Sequence, residues 1–103
     1  MPSAIGTFKR LSENRVEAQF QIDGIDTTFT ADVNPAMPPF SSKKDLLKYN
    51  SPDDLSETHS YNGTIGPRHY KLSLDNGVTL EGDLDQVIGK GATVDGRGNW
   101  VHD

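Results

Sequence analysis

The strongest constraint on the fold of this chain is a strict alternation of apolar and polar residues in segments 15–23 and 25–34. Successive side chains of a β-strand point to opposite faces, so this alternation predicts strands with one buried and one solvated face. The parity of the apolar positions inverts between the two segments, where Asp23 and Gly24 stand. Both residue types tolerate positive φ, so the pair predicts the tight turn of a β-hairpin.

A second hairpin is predicted in the other half of the chain. Segments 69–75 and 78–85 alternate in the same way, and the Asn76-Gly77 pair between them is a strong hairpin signal. Gly82 occupies one of the inward positions. A missing side chain at such a position indicates a bulge, or a bend in a curved sheet.

These two hairpins define the expected fold class. A chain of 103 residues is too short for two ordinary domains. We therefore expect one domain over 1–103 that is mainly β: a small antiparallel β-barrel or two-layer sandwich of about six to eight strands. Gly6-Thr7-Phe8 and Gly63-Thr64-Ile65 precede the hairpins and favour two repeated halves, about 4–34 and 58–102. The alternative is that any two hairpins look alike.

The connection between the halves, about 35–57, breaks the alternation. Three prolines early in this stretch exclude a central strand there. The Ser-Lys-Lys-Asp run that begins at Ser42 resembles a capping box and predicts a short helix over about 42–49. A Ser-Pro-Asp-Asp run predicts a second one over about 52–56. We expect this pair to plug one open end of the barrel or sandwich.

The composition excludes several functional classes. Ten Lys and Arg against fifteen Asp and Glu give a formal net charge of −5, which argues against a nucleic-acid partner. The nearest approach to a basic cluster is Lys43, Lys44 and Lys48, which we interpret as a solvated helix face. With no cysteine, the chain has no disulfide, thiolate–metal site or cysteine nucleophile.

The N-terminus and the hydropathy pattern bear on the compartment. The first ten residues contain no basic segment followed by an apolar one, so no signal peptide is visible. No apolar run approaches the length of a membrane span. We therefore expect a soluble protein without membrane contact; the compartment stays unknown, with the cytoplasm slightly favoured.

Catalytic signals are weak. The predicted inward positions of the four hairpin strands carry no charged side chain, so any site should lie on loops or outer faces. No metal-ligand spacing and no nucleophile elbow is present, and we predict neither a metal nor a cofactor. One polar cluster, His59 with Asp53 and Asp54, is a candidate catalytic site. A small hydrolase or lyase with a surface site near His59 is thus one alternative function.

The leading hypothesis is a non-enzymatic binding or interaction module that uses loops and outer sheet faces. Its candidate ligand-binding residues are Met37, Phe40, Tyr61 and Trp100, because apolar and aromatic side chains could contact a protein or a glycan. A further alternative is an oligomer subunit or an inhibitor. A homo-oligomer would form through edge strands.

One segment carries a family resemblance. Residues 84–89, Leu-Asp-Gln-Val-Ile-Gly, followed by Asp95-Gly96 and Trp100, resemble the end of a repeat in cyanovirin-N-like lectins. Those lectins are tandemly duplicated and bind oligomannose glycans, so the resemblance implies glycan binding. It covers about a sixth of the chain. The first half lacks the corresponding motif, so no site residue is transferred.

Overall fold

A computed structural model describes residues 3–89 and 91–102, which form a barrel of eight strands. The strands are β1 Ser3–Ser12, β2 Arg15–Ile22, β3 Ile25–Asp32, β4 Ser41–Lys48, β5 Thr58–Ile65, β6 His69–Leu74, β7 Thr79–Asp83 and β8 Ala92–His102. All neighbouring pairs are antiparallel. The predicted mainly β fold is confirmed, and the barrel is the correct one of its two architectures.

The strand order around the barrel is β1-β2-β3-β8-β5-β6-β7-β4, and β4 pairs with β1 to close it. Each strand has a partner on both sides, so the described strands leave no free edge for another chain to join. Replacing every strand by the one four places later reproduces the same circular order. Two copies of a four-stranded unit would have this symmetry; the duplication of the sequence itself stays a prediction.

The alternating residues face the core as their parity predicts. Val16, Ala18, Phe20 and Ile22 of β2 are all buried, and the residues between them are more exposed. Aromatic rings from distant strands meet inside the barrel: the rings of Phe8 and Tyr70 stack with 4.3 Å between centroids. The interior is therefore packed with side chains, and the grooves described below are lined mostly by outward-facing residues.

The predicted helix over 42–49 is wrong, because these residues form most of β4. The register of β4 against β1 shifts between Gly6↔Asp45 and Thr7↔Lys43, which leaves Lys44 as the extra residue of a β-bulge. Lys44 has φ 60° there. The bulge places Ser42 and Asp45, three positions apart, on the same buried face. A spacing of three is also that of a helix cap, so the bulge imitates the capping box.

The second predicted helix exists as a shorter element. Pro52–Asp54 forms one 3₁₀ turn, whose N-cap Ser51 accepts a hydrogen bond from the Asp53 N–H. The Asp54 side chain completes the capping box. Leu55, directly after the turn, is fully buried in the hydrophobic core. Within the described residues, no helix has the length and apolar character needed to cross a membrane.

Candidate functional site

Both ring nitrogens of the candidate catalytic residue His59 have hydrogen-bond partners within the protein. Its Nδ1 lies 2.6 Å from Asp75 Oδ1 and its Nε2 lies 2.8 Å from the main-chain oxygen of Ser56. A carboxylate and a carbonyl are hydrogen-bond acceptors, so both ring nitrogens face acceptors of the protein itself. The ring therefore ties the turn at Ser56 to the segment after β6, and neither nitrogen is free to accept a substrate proton.

The two aspartates predicted beside His59 have other roles. The Asp54 carboxylate accepts the N–H groups of Asn50 and Ser51 at 3.2 and 3.1 Å. Asp53 is exposed at the surface of the 3₁₀ turn. The carboxylate that contacts His59 is Asp75, just before the Asn-Gly turn, and this hydrogen bond lowers the pKa of Asp75. Sequence spacing gave no signal for that pairing, because it depends on the register of β5 against β6.

The four candidate ligand-binding residues all lie in the core. Met37, Phe40, Tyr61 and Trp100 are between 3 and 6 % exposed. Tyr61 and Trp100 both pack on Phe29, with ring centroids 6.4 and 4.8 Å away. The other aromatic side chains are buried as well, so no aromatic ring is presented on the outer surface for a sugar to stack on.

The most unusual group in the structure is a buried carboxyl on β4, in the segment that was predicted to be a helix. Asp45 is fully buried, and no Lys, Arg or His nitrogen lies within salt-bridge distance of it among the described residues. Its Oδ1 contacts the Ser42 hydroxyl, while its Oδ2 makes no hydrogen bond to a protein atom. The buried Tyr70 hydroxyl borders it without a hydrogen bond of ordinary geometry.

The Ser42 hydroxyl links Asp45 to β7. The Ser42 oxygen lies within hydrogen-bond distance of both Asp45 Oδ1 and the Asp83 main-chain carbonyl, but a hydroxyl has only one proton, so it donates to one of them at a time. Burial is the largest influence on the pKa of Asp45 and raises it; the Ser42 hydrogen bond lowers this pKa and nearby Asp85 raises it, both by less.

Gly82 makes room for this carboxyl. A Cβ on Gly82 would lie 2.2 Å from Asp45 Oδ1, closer than atoms can approach. The glycine at an inward position of β7 was the one signal in the sequence that something other than an aliphatic side chain packs there. The sequence did not identify the group that fills the space.

Gly82 and Tyr70 also line an outer groove of about 670 Å³ between β4 and the β6–β7 hairpin. Three lysines line the same groove, Lys43 and Lys44 from the bulge of β4 and Lys71 from β6. We call it the lysine groove. Among the described residues, none of the three has a carboxylate oxygen within 4.0 Å.

Two carboxylates line the lysine groove as well. Glu81 is matched by Lys48, whose Nζ lies 3.7 Å from its Oε1, whereas Asp83 has no such partner. Three lysines against one unmatched aspartate leave the groove positive, on a chain whose formal charge is −5. His69 also lines the groove. The strand order β6-β7-β4 brings Lys71 close to the lysines of β4 and so creates this concentration of charge.

The comparisons with known proteins give no further assignment: no protein-family model, curated protein or solved structure matched the chain. The resemblance of residues 84–89 to cyanovirin-N-like lectins therefore gains no support. The described residues also contain no cluster of three or more His, Asp or Glu side chains that could hold a metal ion.

Proposed function

We propose that this protein is a non-enzymatic binding module whose partner is anionic and docks in the lysine groove. The observation that carries the proposal is the convergence of three lysines without carboxylate partners on one groove of an acidic protein. An ammonium group with no internal partner is free to pair with a ligand. Electrostatic complementarity of this kind both speeds encounter and selects against cationic partners.

The polar clusters outside the groove support binding over catalysis. His59 has both ring nitrogens occupied by acceptors, and Asp54 caps a turn. Asp45 is sealed beneath the surface, where no substrate reaches it in this conformation. A neutral glycan held by aromatic stacking is a weaker candidate, because the aromatic rings are inside the barrel.

The test is a binding titration with two labelled anionic probes, a heparin hexasaccharide and a glutamate-rich octapeptide. We expect the double variant Lys43→Gln/Lys71→Gln to bind about tenfold more weakly, at about 0.7 kcal/mol per exposed charge contact. The matched control is Lys9→Gln/Arg97→Gln, which removes the same charge from other outer faces.

The control distinguishes a site from a general effect of net charge. We expect the control variant to bind within about twofold of the unmodified protein at the same salt concentration. Equal loss in both variants, or no saturable binding of either probe by the unmodified protein, would overturn the proposal.

A further inference from the structure

An exposed isoleucine adjoins the lysine groove. Ile5 on β1 is 64 % exposed, the largest value among the exposed large apolar side chains. It stands directly opposite Leu46 of β4, and Leu46 lines the lysine groove. Ile5 and Leu46 thus form an apolar ridge at the rim of a positive groove.

A second groove lies on the other side of this ridge. It measures about 350 Å³ and is lined by Ile5 together with outward-facing side chains of β2 and β3, among them Gln19, Gln21 and Thr28. These amides and hydroxyls can donate to and accept from a peptide main chain. Asp26 also lines this groove and hydrogen-bonds to Gln21 at 3.1 Å, so this end of the surface carries negative charge.

The two grooves and the ridge form one track across the strands. Leu46 is paired with Glu81 of β7 on one side and with Ile5 on the other. From β6 through β7, β4, β1 and β2 to β3 the track crosses five inter-strand steps, roughly 24 Å at about 4.8 Å each. An extended chain rises about 3.3 Å per residue, so about seven residues span the track.

We infer that the track binds an extended acidic segment of a protein partner. Acidic side chains would lie in the lysine groove, an apolar side chain would cover Ile5 and Leu46, and the following main chain would meet Gln19 and Gln21. Asp26 fixes the direction, because an acidic end placed there would be repelled. The inference rests on the proposed function and names the partner class for the same groove.

An anionic glycan fits the lysines but not the ridge. Its charged groups would pair with the lysine groove, and it would gain nothing from desolvating Ile5 without a matching apolar surface. A protein segment can supply both an acidic and an apolar side chain within the length of the track. The role of Ile5 therefore distinguishes the two classes of partner.

The experiment uses three probes on the whole protein. The first is a labelled octapeptide with two glutamates, two leucines and four serines, in that order. In the second, serines replace the leucines, and the third is the heparin hexasaccharide. The test variant is Ile5→Thr, which keeps a β-branched side chain in the strand. The control is Leu11→Thr, at an exposed apolar position that lines neither groove.

We expect Ile5→Thr to weaken the binding of the leucine-containing peptide about fivefold and to leave the binding of the other two probes unchanged. Leu11→Thr should change none of them. If heparin binds and neither peptide does, or if Ile5→Thr has no effect on the leucine-containing peptide, the partner class is wrong, and the proposal of an anionic partner in the lysine groove stands. If no probe binds, the proposed function itself fails.

Discussion

Asp45 and Asp75 are two carboxylates of one barrel in opposite environments. Asp75 is at the surface and forms a hydrogen bond with His59, which is the main reason why its pKa is lowered. Asp45 is fully buried on β4, has no cationic partner, and has its pKa raised chiefly by burial. The first arrangement resembles a catalytic pair in its residue types, but all of its hydrogen-bonding capacity at the histidine is used within the protein.

This contrast shows why a candidate site cannot be predicted from residue types alone. The residue types of the His–Asp pair suggest reactivity, but the pair ties β5 to the end of β6. In contrast, the region around Asp45 has a buried carboxyl oxygen without a hydrogen bond, and the neighbouring groove has lysines without carboxylate partners. A group whose partners are all internal stabilises the fold. A polar group without an internal partner either destabilises the fold or is available to a ligand. Here the lysines are the groups that a ligand can reach.

The largest effect on stability is expected from a substitution that disrupts the packing around Asp45. Gly82→Ala places a Cβ 2.2 Å from Asp45 Oδ1 and 3.3 Å from Asp45 Cα, so the buried carboxyl must shift to accommodate it. We expect the free energy of unfolding to fall by about 2 kcal/mol, as for overpacked cores. Urea unfolding measures it.

Gly89→Ala is the control for this change. A Cβ on Gly89 has no atom within 4 Å, so we expect its effect to stay within about 0.5 kcal/mol. Equal effects of the two alanines would mean that Asp45 does not occupy the space beside Gly82.

A second, intermediate effect concerns the charge of Asp45. Because its folded pKa is raised, the protein is most stable while this group is protonated and loses stability as the pH rises through the folded pKa. Asp45→Asn cannot ionise, so we expect this variant to be more stable than the unmodified protein near neutral pH. The difference should shrink on acidification, measured by urea unfolding from about pH 4 to about pH 8. A difference independent of pH would contradict the assignment.

The smallest effect is expected at the surface pair and has the opposite sign. The folded pKa of Asp75 is lowered, so its contribution is present above the ordinary aspartate pKa and is lost as the pH falls through the folded value. Asp75→Asn should therefore be less stable than the unmodified protein near neutral pH. The difference should be small and sensitive to salt, because Asp75 is exposed. A stabilised Asp75→Asn variant would remove the contrast with Asp45.

Much of the fold could be predicted from the sequence because period-2 alternation and Asn-Gly or Asp-Gly turns are local signals. The strand β4 could not, since the bulge at Lys44 changes the parity within the strand and gives Ser42 and Asp45 a helical spacing. The same error hid the candidate site. Lys43 and Lys44 looked like a solvated helix face, and only the barrel brings Lys71 beside them.

The binding roles predicted for Trp100 and Tyr61 depended on exposure, which sequence alone does not supply. Both rings complete the core around Phe29, and Tyr61 donates its hydroxyl to the Asp32 carbonyl at 2.6 Å. For an aromatic residue near a chain end or a turn, no local sequence signal distinguishes burial in the core from exposure on a binding surface.

The most direct test of the central claim, that the lysine groove and not the His59 region is the binding site, is an NMR titration. Uniformly ¹⁵N-labelled protein is titrated with the octapeptide of two glutamates, two leucines and four serines, and the amide shifts are followed. We predict saturable changes concentrated at Lys43, Lys44, Lys71 and Ile5, with His59 and its neighbours unmoved. Changes centred on His59, or shifts scattered over the barrel that do not saturate, would contradict the claim.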